Sequence, residues 1–203
     1  MEHYKPLNVS DRIAWLFTKS MRFFADTFFQ KRYGHRAVVL ETVAGVPGMV
    51  AGMWTHLTSL RKMQTGYGPK IRTLLSEAEN ERMHLMTFIE IAQPNAAERF
   101  LVLIAQALFW NLFFIIYVLF PRTAHRIVGY FEEEAVYSYT EYLKEIDSGK
   151  IPNTQAPQIA IDYWKLPTDA RLRDVVIAVR EDEAHHRDTN HRFANEYDHK
   201  QVP

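Results

Sequence analysis

The sequence predicts an all-α protein. Helix formers fill the stretches between glycine and proline clusters, no alternating strand pattern competes with them, and no internal repeat of fixed period is present. At 203 residues the chain reads as one domain, 1–203, long enough to bury a substantial core.

Each helix has a boundary signal. Ser10-Asp11 caps a first helix expected over 11–33 and stopped at Gly34. It carries Trp15, Phe17, Phe23, Phe24, Phe28 and Phe29 beside Lys19, Arg22, Lys31 and Arg32. A second helix is expected over 35–63, kinked at Pro47 and ended by "TGYGP" at 65–69. The third, 70–92, closes before Pro94, and the fourth, 96–120, precedes Pro121. A fifth spans 122–147, "SGKIPNTQAP" forms a loop, and the last runs over 168–197.

Composition narrows the chemistry. Charge is balanced, 24 basic against 24 acidic residues, which gives no field for nucleic acid, and none is expected as a partner. The absence of cysteine excludes disulfides, thiolate metal sites and cysteine nucleophiles together. Any metal must be held by carboxylates and imidazoles. The N-terminal "MEHYKPLNVSDR" has no signal-peptide pattern.

Two Glu-x-x-His pairs stand out: Glu81 with His84, and Glu183 with His186. Residues three apart share a helix face, so each pair can aim a carboxylate and an imidazole at one point. A di-iron bundle adds one glutamate from each of two further helices. The second helix offers Glu41, its only acidic residue, after Val38, Val39 and Leu40. An unpaired carboxylate on an apolar face is costly, so Glu41 needs a partner. The fifth helix offers Glu132, Glu133 and Glu134 in a row after "VGYF". Consecutive helical residues lie about 100° apart, so one of the three faces the metals, and spacing does not choose among them. Four carboxylates with two histidines suit iron or manganese better than a closed zinc site. The architecture that follows is a ferritin-like four-helix bundle carrying a di-iron carboxylate site. Glu133, Glu134, Glu181 and His185 read as exposed or supporting charges, and His191 and His199 as solvated.

Residues 100–120, "FLVLIAQALFWNLFFIIYVLF", would form a helix of roughly 30 Å, enough to cross a bilayer. A single crossing would separate Glu41, Glu81 and His84 from Glu132, Glu183 and His186. The site stays whole only if this helix lies along the protein in one leaflet. The aromatic and basic first helix is a natural partner, giving two membrane-interface helices and a monotopic protein.

The stretches "LETVAGVPGMVAGM" (40–53), "EAENERMHLMTF" (77–88), "GYFEEEAV" (129–136) and "REDEAHHR" (180–187) resemble, in order, the four iron-binding motifs of the alternative oxidases. That family comprises cyanide-insensitive, non-haem di-iron ubiquinol oxidases, and the resemblance runs from about Trp15 to Asn195. It implies two iron ions held by Glu41, Glu81, His84, Glu132, Glu183 and His186, which selects Glu132 from the glutamate run and sets His185 aside. It implies a redox-active Tyr139, supporting groups at Asn80, Tyr117, His125, Asp182, Tyr163 and Trp164, and a quinol pocket lined by Arg22, Asp26, Arg36, Leu40, Glu134, Ala135 and Ser138. Ser138 stands where threonine is expected. Ubiquinol and O2 are the implied substrates, water the product, one membrane leaflet the lipid partner and a homodimer the assembly. No proton channel is visible, so no pumping is expected. The family's plant members carry regulatory cysteines, so the cysteine-free chain is expected to escape thiol control. With no transit peptide visible, the expectation is a bacterial-type member on the cytoplasmic face of the inner membrane, or a trimmed form on the mitochondrial matrix face. A membrane-bound di-iron quinone-ring hydroxylase is the principal alternative, and a ferritin-like ferroxidase a weaker one.

Overall fold

The computed structural model describes residues 3–29 and 33–198. Lys31, Arg32 and His199 lie outside the described residues, as do the side chains of Phe28 and Phe29. The helices are α1 (Val9–Phe29), α2 (Tyr33–Lys62), α3 (Gly68–Ala92), α4 (Ala96–Leu119), α5 (Pro121–Asp147), α6 (Gln158–Trp164) and α7 (Leu172–Asp198). The only β-pairing among the described residues is an isolated bridge between Gln155 and Arg171.

The boundary chemistry is local. Proline occupies the first turn of α3 and of α5, where a missing N–H costs nothing. Asn95 and Glu98 form a reciprocal capping box at the start of α4. Three boundaries differ from expectation. Gly34 lies in the first turn of α2 rather than ending α1, because a single glycine costs a helix only about 1 kcal/mol. α1 starts at Val9, where Asn8 Oδ1 accepts from Asp11 N–H at 3.0 Å, so Ser10-Asp11 lie inside the helix rather than capping it. The last helix starts at Leu172 rather than near 168, because the chain turns at Pro167–Ala170 and pairs with 154–156, Leu172 N–H donating to Thr154 O at 2.8 Å. The seven-residue α6 is too short to show a period, yet its Ala160 and Ile161 are buried.

Helices α2, α3, α5 and α7 form the bundle. Two apolar layers cross it. One joins Ala37 and Val38 of α2, Phe88 of α3, Tyr139 and Leu143 of α5 and Val176 and Val179 of α7. The other joins Val46 and Val50, Leu74, Ala124 and Val128, and Phe193 of the same four helices. On every helix the Glu or Glu-x-x-His lies between these layers in sequence. Their order reverses between α2 and α3 and between α5 and α7, so both neighbours run antiparallel. The polar groups therefore meet in one plane at the middle of the bundle, sealed above and below by hydrocarbon.

Helices α1 and α4 flank the bundle, α1 against α5 and α4 against α2 and α5. Both α2 and α4 are long and apolar enough to cross a membrane. They differ in what covers them: α2 is largely buried, whereas of α4 only Phe113 and Tyr117 are. Phe100, Leu103 and Leu108 of α4 are 63%, 62% and 69% exposed, and Phe23 and Phe24 of α1 continue the apolar surface.

Candidate metal centre

Five buried polar atoms lack a hydrogen-bond partner where the four bundle helices meet: Glu41 Oε2, Glu81 Oε2, His84 Nδ1, Glu183 Oε2 and His186 Nδ1. Single ligand atoms of Glu41, Glu81, His84 and Glu183 lie within 4.8 Å of one another. His84 Nδ1 is 3.4 Å from an oxygen of each of Glu41, Glu81 and Glu183, and His186 Nδ1 is 2.7 Å from Glu81 Oε1. Glu132 completes the ring from α5 and is buried against Glu183, Glu81 and Glu41. Four carboxylates buried together without a cation would repel and lose their hydration. Two divalent ions would balance their four charges, and the unpartnered oxygens and nitrogens are the donor types such ions take. The donor set is one that first-row metal ions take; Glu41, Glu81, His84 and Glu183 converge most closely, with Glu132 and His186 beside them.

The electrostatics carry the same imprint. Burial and then the nearby Glu183 and Glu81 carboxylates push Glu41 and Glu132 well above the usual carboxylate range. Burial opposes protonation of His84 and His186, but the surrounding glutamates outweigh it and raise both. Burial also works to raise Glu81, yet His84 and His186 hold it well below the ordinary value.

Asp182 orients His84. Its Oδ2 lies 3.2 Å from His84 Nε2 and accepts from Asn80 Nδ2 at 2.9 Å and Trp164 Nε1 at 2.8 Å. Burial raises Asp182, but the hydrogen bonds from His84, Asn80 and Trp164 lower it further, so it stays ionised. An ionised Asp182 accepts a hydrogen bond from His84 Nε2–H and so leaves Nδ1 to face the cluster. The Trp164 ring stacks on His84 at 5.7 Å, and Asn80 also donates to the Tyr163 hydroxyl at 3.0 Å. The short α6 exists, in effect, to bring Tyr163 and Trp164 to this face.

Tyr117 and His125 lie elsewhere, at the α4–α5 end of the bundle. The Tyr117 hydroxyl is 3.3 Å from His125 Nε2, and His125 Nδ1 is 3.0 Å from Asn190 Oδ1. Burial, helped by Lys70, pushes His125 down to about 3, so the ring is neutral. Asn190 then donates to Glu77 Oε2 at 3.1 Å and to the His186 carbonyl at 3.0 Å. Neither Glu77 nor Asn190 was singled out from sequence. The available signal was spacing: Glu77 precedes Glu81 by one helical turn, and Asn190 follows His186 by one.

The opposite side opens. An apolar cavity of about 640 Å3 runs between α1, α2, α4 and α5, and Glu41, Glu132, Glu183 and Tyr139 stand in its wall. Arg22, Arg36, Leu40, Glu134, Ala135 and Ser138 line it as well. Asp26 does not; it sits behind, accepting from Arg22 Nε at 2.7 Å and from Arg36. Arg22 also donates to Glu134 Oε2 at 2.7 Å and to Ser138 Oγ at 3.4 Å. The Tyr139 hydroxyl donates to Glu41 Oε1, and its ring stacks on Phe88 at 5.7 Å. Burial and the neighbouring glutamates raise Tyr139 far above its usual value, so it remains protonated.

Two expectations are corrected. Glu133 is buried, 2% exposed, so of its two readings, exposed or supporting charge, the exposed one fails, and His191 is 8% exposed rather than solvated. The His191 ring stacks on Tyr4 at 4.7 Å, accepts from Arg126 at Nδ1 and bonds Glu133 through Nε2 at 3.1 Å. Tyr4 N–H and His3 Nδ1 also bond Glu133, each at 2.7 Å. Arg126, fully buried, pairs with Asp11 at 2.9 Å. The residues before α1 strap down this cluster, a long-range contact that no local pattern encodes. Glu134 and His185 differ in fate: Glu134 is half-buried under Arg22, whereas His185 is exposed.

Fold and site together define a helical-bundle metalloprotein whose carboxylate–histidine centre opens into an apolar cavity beside an exposed apolar surface. The chain belongs to the alternative oxidase family, whose model matches residues 1–195. It is 61% identical over 193 residues to the mitochondrial ubiquinol oxidase of Batrachochytrium dendrobatidis, covering 95% of this chain and 61% of that protein. It is 59% identical over 195 residues to ubiquinol oxidase 2, mitochondrial, of Glycine max, covering 96% and 58%. The corresponding protein of Arabidopsis thaliana is 58% identical over 195 residues, covering 96% and 55%. The chain thus spans about three fifths of the length of the curated relatives it matches.

Proposed function

We propose that this chain forms, as a single domain over 1–203, the catalytic unit of a ubiquinol:oxygen oxidoreductase. It holds two iron ions between Glu41, Glu81, His84, Glu132, Glu183 and His186. The observation that carries this is the join between two environments, with Glu41, Glu132 and Glu183 in the wall of the 640 Å3 apolar cavity. A carboxylate–histidine centre alone suits many reactions, but one that meets a cavity of this size and polarity suits a ring-bearing lipid substrate. The relatives' names, ubiquinol oxidase, support the same substrate. Nothing in the cavity favours ring hydroxylation.

Iron held there would supply one-electron redox chemistry in a carboxylate-rich setting. The chain's own residues supply the rest. The Arg22 guanidinium and Ser138 hydroxyl offer donors to a quinol oxygen and Glu134 an acceptor, while Asp26 holds Arg22 and Arg36 in place. The Tyr139 hydroxyl, bonded to Glu41, keeps a proton between the cavity and the metal plane. Two ubiquinols and one O2 give two ubiquinones and two waters. The four protons released equal the four consumed, so turnover at one site moves no net charge and needs no pump.

The exposed faces of α1 and α4 support binding to one leaflet, on the matrix side if the chain is mitochondrial like its relatives. A homodimer belongs to the same proposal: Met49, Met53, Leu57 and Leu60 leave an apolar row exposed on α2. The test is Glu183→Ala assayed with ubiquinol in an oxygen electrode with cyanide present. Uptake should vanish while liposome binding persists. Full activity in the variant would overturn the metal site, and a hydroxylated quinone product in the wild type would overturn the oxidase.

A further inference from the structure

One buried carboxylate is left over by the centre described above. Glu77 lies on α3 one turn before Glu81 and is 9% exposed. Its Oε2 is occupied by Asn190 at 3.1 Å, whereas its Oε1 is buried with no hydrogen-bond partner. A buried acceptor left unpaired costs about 1–3 kcal/mol, so a partner is expected.

A small cavity of about 10 Å3 supplies the place for one. Its wall is made by Glu77, Glu81, Glu132 and His186, closed on the other sides by the small residues Ala44, Gly48 and Ala78 with Pro47 and Val128. That volume matches roughly one water, and a water needs two to four polar partners, which this wall holds. The carboxylate is not free to swing away. Asn190 pins it, His125 fixes Asn190 through Oδ1 at 3.0 Å, and Tyr117 fixes His125 at 3.3 Å. The chain from Tyr117 to Glu77 thus serves to aim one oxygen into this space.

We propose that this cavity is a seat for a single water molecule, held by Glu77 Oε1 against the Glu132–His186 side of the metal centre. Glu77 is then a positioning residue: through the water it would hold the Glu81, Glu132 and His186 side chains toward the metal site, as Asp182 does directly for His84. The seat also divides the centre into two faces. The apolar cavity has no α3 residue in its wall, whereas the seat takes Glu77, Ala78 and Glu81 from α3 and His186 from α7, and the two share Ala44, Pro47 and Glu132 as the partition between them. Water and quinol would meet the centre from different sides.

This seat rests on the metal-centre reading, and the experiment separates the two. Crystals of Mn2+-loaded wild-type protein, at a resolution that shows ordered water, should place one water within hydrogen-bond reach of Glu77 Oε1. Anaerobic Fe2+ titration should then find Glu77→Leu weaker than wild type by about tenfold or more. Glu77→Gln, which keeps a polar group facing the water, should fall within a few fold of wild type and retain the water in its own Mn2+ structure. Helicity and melting temperature report whether each variant folds. If Glu77→Leu does not fold, the wild-type and Glu77→Gln structures decide. No water at Glu77 in the wild type, or undiminished Fe2+ affinity in folded Glu77→Leu, overturns the seat. Failure of the wild type to bind either ion would overturn the metal centre itself.

Discussion

Gly48→Ala tests how closely two ligand-bearing helices must approach. A Cβ at Gly48 would stand 2.5 Å from the Leu74 carbonyl oxygen and 3.0 Å from Ala78 Cβ, all within the α2–α3 contact. Carbon contacts are most favourable at about 3.5–4.0 Å, so the helices must part by roughly 0.5–1 Å. The obstacle is backbone, which no rotamer change relieves, so the cost falls near the top of the overpacking range, about 3 kcal/mol. Alanine returns about 1 kcal/mol in helix propensity, leaving a net loss of about 2 kcal/mol. For a chain of 203 residues the unfolding entropy is about 0.43 kcal/mol/K, so the melting temperature should fall by about 5 °C. The same displacement moves Glu41 away from Glu81 and His84. Metal–ligand distances tolerate only about ±0.2 Å, so Fe2+ affinity should drop at least about tenfold. Gly52→Ala is the control: its Cβ meets Leu75 Cδ2 at 2.8 Å, the end of a side chain that can turn away. Circular-dichroism melts in detergent and anaerobic iron titration read both effects. A Gly48→Ala protein that melts like wild type and binds iron equally would show that the close approach is incidental.

Other perturbations probe separate parts of the molecule. Asp11→Ala leaves the fully buried Arg126 without its ion partner and should cost about 3–5 kcal/mol, a fall of roughly 7–12 °C by calorimetry; a shift under 2 °C, on the order of 1 kcal/mol, would rule out a buried pair. Burial works to raise Asp11, but the hydrogen bonds from Arg122 and Leu7 N–H and the charges of Arg126 and Arg122 outweigh it and lower the group, so its contribution is present at neutral pH and lost as pH falls below about 4. The raised values of His84, His186, Glu41 and Glu132 mean that metal must displace protons. Fe2+ affinity should therefore rise between about pH 6 and about pH 8 with proton release on binding, and a pH-independent affinity would contradict that protonation. Leu103→Lys with Leu108→Lys removes two side chains 62% and 69% exposed, worth roughly 3 kcal/mol of transfer. Liposome partitioning should weaken about a hundredfold, and unchanged partitioning would place the membrane contact elsewhere.

How much was legible in the sequence follows from the range of each interaction. The helices, their caps and the four motif stretches are local: Pro69, Pro121 and the Asn95–Glu98 box act within a turn, and Glu-x-x-His spacing puts two donors on one face whatever lies opposite. Glu41 could be found because an acid after three aliphatics is anomalous in its own helix. The choice of Glu132 over Glu133 and Glu134 was different. It came from resemblance, since all three follow the same apolar run, and only the packing of α5 against α7 and α1 separates them. Glu132 turns to Glu183, Glu81 and Glu41, Glu133 to His191 and the chain before α1, and Glu134 to Arg22.

The sequence by itself determined that the protein is helical, that any metal it holds must be held by carboxylates and imidazoles, and that one segment is too apolar for an ordinary surface. Period, donor type and hydropathy belong to single residues or single turns. Tertiary structure decided which buried charges serve the centre, where α6 brings Trp164, and that Glu77 keeps an oxygen free beside it. Those outcomes depend on which groups are left unpaired when four helices close on one another. A hydrogen bond withheld has no signature in one chain segment; it exists only in the packed molecule.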